Sequence, residues 1–72
     1  MERNQLMEVV DRVMDALLSD PRTKDAIIDV GSDRGIVILK GQVNKVDIRE
    51  AAEEIARKQE GVITVINEIK VG

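Results

Sequence analysis

The chain holds fourteen carboxylates, eleven lysines and arginines, and no histidine. It also has no cysteine. That set lacks the commonest general base, the strongest nucleophile and the usual zinc ligands. Ser19 and Ser32 stand among turn residues with no base beside them and read as capping or turn hydroxyls. Gly31 and Gly35 frame a hairpin turn; no Gly-x-Gly-x-x-Gly or Walker pattern accompanies them to suggest a phosphate cradle. Asp29 and Asp33 flank Gly31, yet their spacing is not that of an EF-hand and they supply too few ligands for calcium. Met7 and Met14 fall on one helical face and read as the edge of a core, not as a soft-metal site. These residues point away from an enzyme, and neither cofactor nor metal is expected.

Composition narrows the choice further. There is no Phe, Tyr or Trp, so bases have no aromatic ring to stack on. The net charge is −3 and the sequence pI about 4.8, which opposes broad attraction to phosphate. Nucleic acid is therefore not an expected partner. No apolar run reaches the ~20 residues of a membrane span. Met1-Glu2-Arg3-Asn4-Gln5 lacks the basic start and apolar stretch of an export signal. As written the chain reads as cytoplasmic; if an export signal has been removed, the periplasm or envelope is the alternative.

The positioning elements follow from periodicity. Leu6, Val10, Val13 and Leu17 recur at helical spacing, predicting a helix near 4–18 that ends at Ser19-Asp20-Pro21. Ile27, Ile28 and Val30 predict a short strand near 26–30, and Gly31 to Gly35 a turn. Residues 36–43 alternate as a strand, with Val37, Leu39, Gly41 and Val43 on one face. Asn44 is the expected N-cap of a helix near 45–59 whose stripe is Ile48, Ala51, Ala52, Ile55 and Ala56. Glu53 and Arg57, like Glu54 and Lys58, are spaced as ion pairs along it. Gly61 caps that unit. A last strand near 62–71 places Ile63, Val65, Ile69 and Val71 on the core side. The sum is an α+β class fold, a single α-β-β-α-β domain over 1–72 with an ordered core near 4–71. A three-stranded mixed sheet carries both helices on one face, and the right-handed crossover makes the last strand parallel to its mate.

This order resembles the BON domain, named for bacterial osmotic-stress and nodulation proteins. The resemblance rests on Ala16-Leu17-Leu18-Ser19-Asp20-Pro21, Ile28-x-Val30 and Gly35-x-Val37-x-Leu39-x-Gly41-x-Val43. It continues through Ala51-Ala52-x-x-Ile55-Ala56 and Gly61-Val62-x-x-Val65-x-Asn67-x-Ile69-x-Val71. The stretch before the hairpin departs from the family pattern, lacking a further alternating apolar residue, so the first strand is expected to be short. The resemblance implies a non-enzymatic binding module that attaches to a phospholipid or envelope surface, or to a partner protein. The alternative it leaves is a self-associating or regulatory interaction domain, with a role in stress or ion sensing and no membrane contact.

Gly35, Gly41, Gly61 and Asn67 are expected to be structural. Gly41 lies on the core face, where Ala51 and Ala52 are expected to pack over it; a β-bulge is the alternative. Asn67, among core-facing apolar residues, is expected to tie the last strand to a nearby loop or helix end; a ligand-binding amide is the alternative. On the outer face, alternation places Ile27, Ile36, Ile38 and Ile66 together, with no layer to cover them. Such a patch is the expected interaction surface. Lys45, Arg49 and Lys70 are the basic residues expected to face any lipid.

Overall fold

The computed structural model describes residues 8–72. Helix α1 spans Val9–Ser19 and buries Val13 and Leu17, one turn apart on a single face. The expected helix start at residue 4, with Leu6 and Met7, lies outside the described residues. The end of α1 is tied off by the residues after it. Thr23 is buried, and its hydroxyl donates to the Leu17 carbonyl at 2.6 Å, satisfying an acceptor that the helix terminus leaves free. Asp20 then organises the turn. Its carbonyl accepts the N–H groups of Thr23 and Lys24, and its carboxylate accepts that of Arg22 at 2.8 Å.

The first strand departs from expectation. Strand β1 covers Ile28–Asp33 and strand β2 covers Ile36–Val43, paired antiparallel from Ile28↔Gly41 to Asp33↔Ile36. Gly31, Ser32 and Asp33 are therefore strand, and the loop is only Arg34-Gly35, with φ of 54° and 87°. Two central residues of positive φ match the twist of a type I′ hairpin, so the tight turn extends the ladder into residues of turn composition. At the other end, Ala26 donates its N–H to the Thr23 carbonyl and belongs to the preceding turn, not to the strand.

Helix α2 spans Val46–Arg57 and buries Ala51, Ala52, Ile55 and Ala56. Its N-cap is Lys45 and not Asn44, and no side chain caps it; Asp47 in the first turn supplies favourable charge there. The ion pairs Arg57–Glu53 at 2.7 Å and Lys58–Glu54 at 3.2 Å run along its exposed side. Strand β3 covers Thr64–Val71. Ile63 precedes it and is 80% exposed, outside the core face on which alternation places it.

The sheet order is β1-β2-β3, with β3 parallel to β2 from Ile36↔Thr64 to Val43↔Val71. Val37 and Leu39 of the central strand meet Val65 and Ile69 of β3, Val13 and Leu17 of α1, and the α2 stripe in one core. Both helices lie on that face, α1 beside β1 and α2 over β2 and β3.

Gly41 has a different neighbour from the one expected. A Cβ there would lie 2.7 Å from the carbonyl oxygen of Ile27, and the residue holds φ +151°. The chain entering β1 therefore crosses over Gly41, and Ala51 and Ala52 do not account for its lack of a side chain. The Ile28↔Gly41 pairing is kept without an inserted residue.

Candidate interaction surface

The outer face of the sheet follows from the register. Rows across the strands are Asp33–Ile36–Thr64, Gly31–Ile38–Ile66 and Asp29–Lys40–Glu68, with Gln42–Lys70 beyond. Ile38 and Ile66 are direct neighbours, and Ile36 stands one row away. Ile36 is 39% and Ile66 44% exposed, and Ile38 is half-buried. The Lys40 ammonium lies 4.0 Å from the Glu68 carboxylate and closes the apolar cluster on that side.

Ile27 does not join them, which corrects the expected four-residue patch to three. It is 86% exposed and precedes β1. It lines a groove of about 590 Å³ with Pro21, Gln42 and Ile48, and another of about 290 Å³ with Met14, Leu18 and Ile28. The smaller groove lies on the helix side, against α1, and the larger opens at the end of the sheet beside Gln42 and Gly72. The cause is the turn through Ala26, which takes the chain out of strand geometry before Ile27 can be counted by alternation.

The three basic residues are not gathered on one surface. Lys70 is on the outer sheet face, Lys45 stands at the start of α2, and Arg49 is in that helix. All three are exposed, and none makes an ion pair among the described residues.

Asn67 lies on the core side of β3, level with Leu39. Its amide nitrogen donates to the Arg49 carbonyl at 3.0 Å and to the Glu53 carboxylate at 3.3 Å, and its oxygen accepts the Ile69 N–H at 3.1 Å. Thr64 and Gly72 donate their N–H groups toward β2, to Gly35 and Val43. By alternation the Ile69 N–H points away from β2, to the free edge of β3. Asn67 thus joins β3 to α2 and occupies an edge donor. Gly35 and Gly61 take positive φ, and added Cβ atoms would meet Ile63 and Val9 respectively.

A network of charges links the turn after α1 to α2. Arg22 bonds both oxygens of Asp20 and reaches Glu54 at 3.5 Å, which Lys58 also contacts. The hydrogen bond from Arg22 holds the Asp20 carboxyl below its ordinary value, and that from Lys58 does the same for Glu54. Only the Glu54–Lys58 pair of this network was signalled by its spacing; the Thr23 bond and the reach of Arg22 to Glu54 had no signal in the sequence beyond the Asp-Pro turn itself. Among the described residues there is no cluster of acidic side chains able to hold a metal ion, and no helix is long and apolar enough to cross a membrane.

No curated protein matches the chain. The family model described as BON domain matches residues 8–72, every residue whose structure is described above. With the α-β-β-α-β order and the mixed sheet in place, the chain belongs to the BON domain family, whose members are generally non-catalytic binding modules often linked to membranes and phospholipids.

Proposed function

We propose that this BON domain recognises a protein partner through the outer face of its sheet. The supporting observation is the pairing of Ile38 with Ile66 beside Ile36, on the face that neither helix covers. The partner in this reading is another protein, and the test below separates it from a second copy. Burying the remaining two-fifths of Ile36 and Ile66 is worth about 1 kcal/mol each. Association costs roughly 4–15 kcal/mol, so a partner must extend over the neighbouring Thr64, Lys40 and Glu68 as well.

The test places a photo-crosslinking side chain at Ile38 and, as control, at exposed Glu60, in cells that make the protein. A discrete heavier adduct from position 38 alone, lost when Ile66→Glu is added, is the expected result. No adduct specific to position 38 overturns the proposal. An adduct of two copies, with dimerisation in sedimentation equilibrium, replaces it with self-association.

A phospholipid surface is the second reading, favoured by the unpaired Lys45, Arg49 and Lys70. The acidic balance and the lack of Trp and Tyr work against it. Weak co-sedimentation with phosphatidylglycerol vesicles is expected. Tight, salt-sensitive binding lost on Lys45→Glu, Arg49→Glu and Lys70→Glu would make lipid the primary ligand.

A further inference from the structure

The two edges of the sheet are treated differently. The β3 edge is closed near its middle, because Asn67 occupies the Ile69 N–H and straps the strand to α2. Among the described residues, no such side chain straps the β1 edge. β1 contains no proline or lysine, and among the described residues no strand pairs with it on the side away from β2. An edge strand of this kind presents unpaired N–H and C=O groups to any strand that can approach.

Beside that edge runs the groove of about 290 Å³ between α1 and the start of β1. Its apolar walls are Met14, Leu17, Leu18, Ala26, Ile27 and Ile28, and one charge of each sign, Lys24 and Asp25, completes the lining. Leu18 is 61% and Ile27 86% exposed, apolar surface that the fold itself leaves unused. A strand added to β1 would direct alternate side chains toward the helix layer, and so into this groove.

Charge selects the occupant. Residues 8–33, which build α1, the turn and β1, carry seven carboxylates against three cations, a balance of −4. Residues 34–72 carry six against seven, a balance of +1. The net negative charge therefore lies in the segment that builds the open edge and the groove. Asp25, Asp29 and Asp33 are exposed along the approach to β1 and the strand itself. Two copies paired about Gly31 through this edge would set Asp29 opposite Asp33 twice, which like-charge repulsion opposes. An anionic lipid surface is repelled in the same way.

We infer that the β1 edge and the adjoining α1 groove take up an extended cationic segment of a partner protein by strand addition, its apolar residues alternating with lysine or arginine. Asp29 and Asp33 adjoin the Ile36, Ile38 and Ile66 face, but the backbone edge and the α1 groove are distinct from it, so either surface can fail without the other.

The experiment is a titration of the isotopically labelled protein with a blocked peptide of alternating lysine and valine, with its glutamate–valine counterpart as control. Resonances of Ile28–Asp33 and of Met14 to Leu18 should shift with the lysine peptide only, and β1 amides should gain protection from hydrogen exchange. Asp29→Lys with Asp33→Lys should weaken binding about tenfold or more, equivalent to about 1.4 kcal/mol. Leu18→Ser with Ile27→Ser, both at exposed positions, should do likewise while the far-ultraviolet spectrum stays unchanged. Ile38→Lys should leave binding unaltered. Equal binding of the glutamate peptide, shifts confined to Ile36, Ile38 and Ile66, or no protection of β1 amides would each overturn the inference. Should a paired variant unfold, protection of β1 amides in the parent still decides the matter.

Discussion

The side-chain oxygen of Asn67 accepts the backbone N–H of Ile69 at 3.1 Å, on the edge of β3 that has no neighbouring strand among the described residues. The same side chain donates to the Arg49 carbonyl and the Glu53 carboxylate. One amide thus satisfies a strand donor and adds a second hydrogen bond to a helix carbonyl, and its removal leaves the Ile69 N–H to find water. Asn67→Ala should lower stability by about 1–3 kcal/mol in urea titration. Asn67→Asp keeps the acceptor for Ile69 but sets a carboxylate beside Glu53, so its penalty should shrink as pH falls through the carboxylate range.

Gly41 should tolerate no side chain. The positive φ strains any L-residue, and the Ile27 carbonyl at 2.7 Å is backbone, which cannot swing aside. Gly41→Ala should cost about 1–3 kcal/mol, with Gly41→Val costing more. An alanine variant within about 0.5 kcal/mol of the parent, the range of a surface change, would contradict this account.

Arg34 occupies the left-handed region at φ 54° in the first position of the hairpin loop. Its side chain is almost fully exposed, with its Nε 3.9 Å from the Asp33 carboxylate. Asparagine accepts this backbone conformation more readily and, before Gly35, completes the preferred type I′ pair. Arg34→Asn should raise stability by about 0.5–1 kcal/mol, visible as a higher urea midpoint at an unchanged slope.

Asp20 and Glu54 should give the domain an acid-sensitive component of stability. Both carboxyls are held below their ordinary values, Asp20 chiefly by the hydrogen bond from Arg22 and Glu54 by that from Lys58. The unfolded chain therefore takes up these protons first as pH falls. The contribution is complete above the ordinary carboxylate range and is lost as pH drops through the lowered folded values. Urea midpoints from about pH 6 to about pH 3 should fall less steeply in Asp20→Asn with Glu54→Gln than in the parent. Salt should reduce the difference, because the groups are washed by solvent.

Periodicity made most of the fold readable. The α2 stripe of Ala51, Ala52 and Ile55 and the β2 alternation through Leu39 both face the core. The pairs Glu53–Arg57 and Glu54–Lys58 also form where their spacing places them. What could not be read depends on where a segment begins. Gly31-Ser32-Asp33 has turn composition, yet the hairpin needs only Arg34 and Gly35 at its tip, so the ladder continues through them. Ile27 belongs to the outer face only if the strand starts before it, and the Thr23–Ala26 turn prevents that. The neighbour of Gly41 comes from the same segment, brought close by tertiary packing that no local pattern encodes.

The carbonyl of Gly35 accepts the N–H of Ile63 at 2.7 Å and that of Thr64 at 3.3 Å, so the hairpin tip also anchors the start of β3. This orders the folding reaction in time. The β1–β2 hairpin closes through two residues, whereas every β2–β3 pair joins positions 28 apart in sequence, as Ile36 to Thr64. Loop-closure entropy makes the second event slower. The Gly35 carbonyl, presented only once the hairpin has formed, then serves as the first rung for β3. Chevron analysis should find that substitutions in the hairpin mainly slow folding, whereas those in Thr64–Val71 mainly speed unfolding. The reverse pattern would mean that β3 docks before the hairpin is complete.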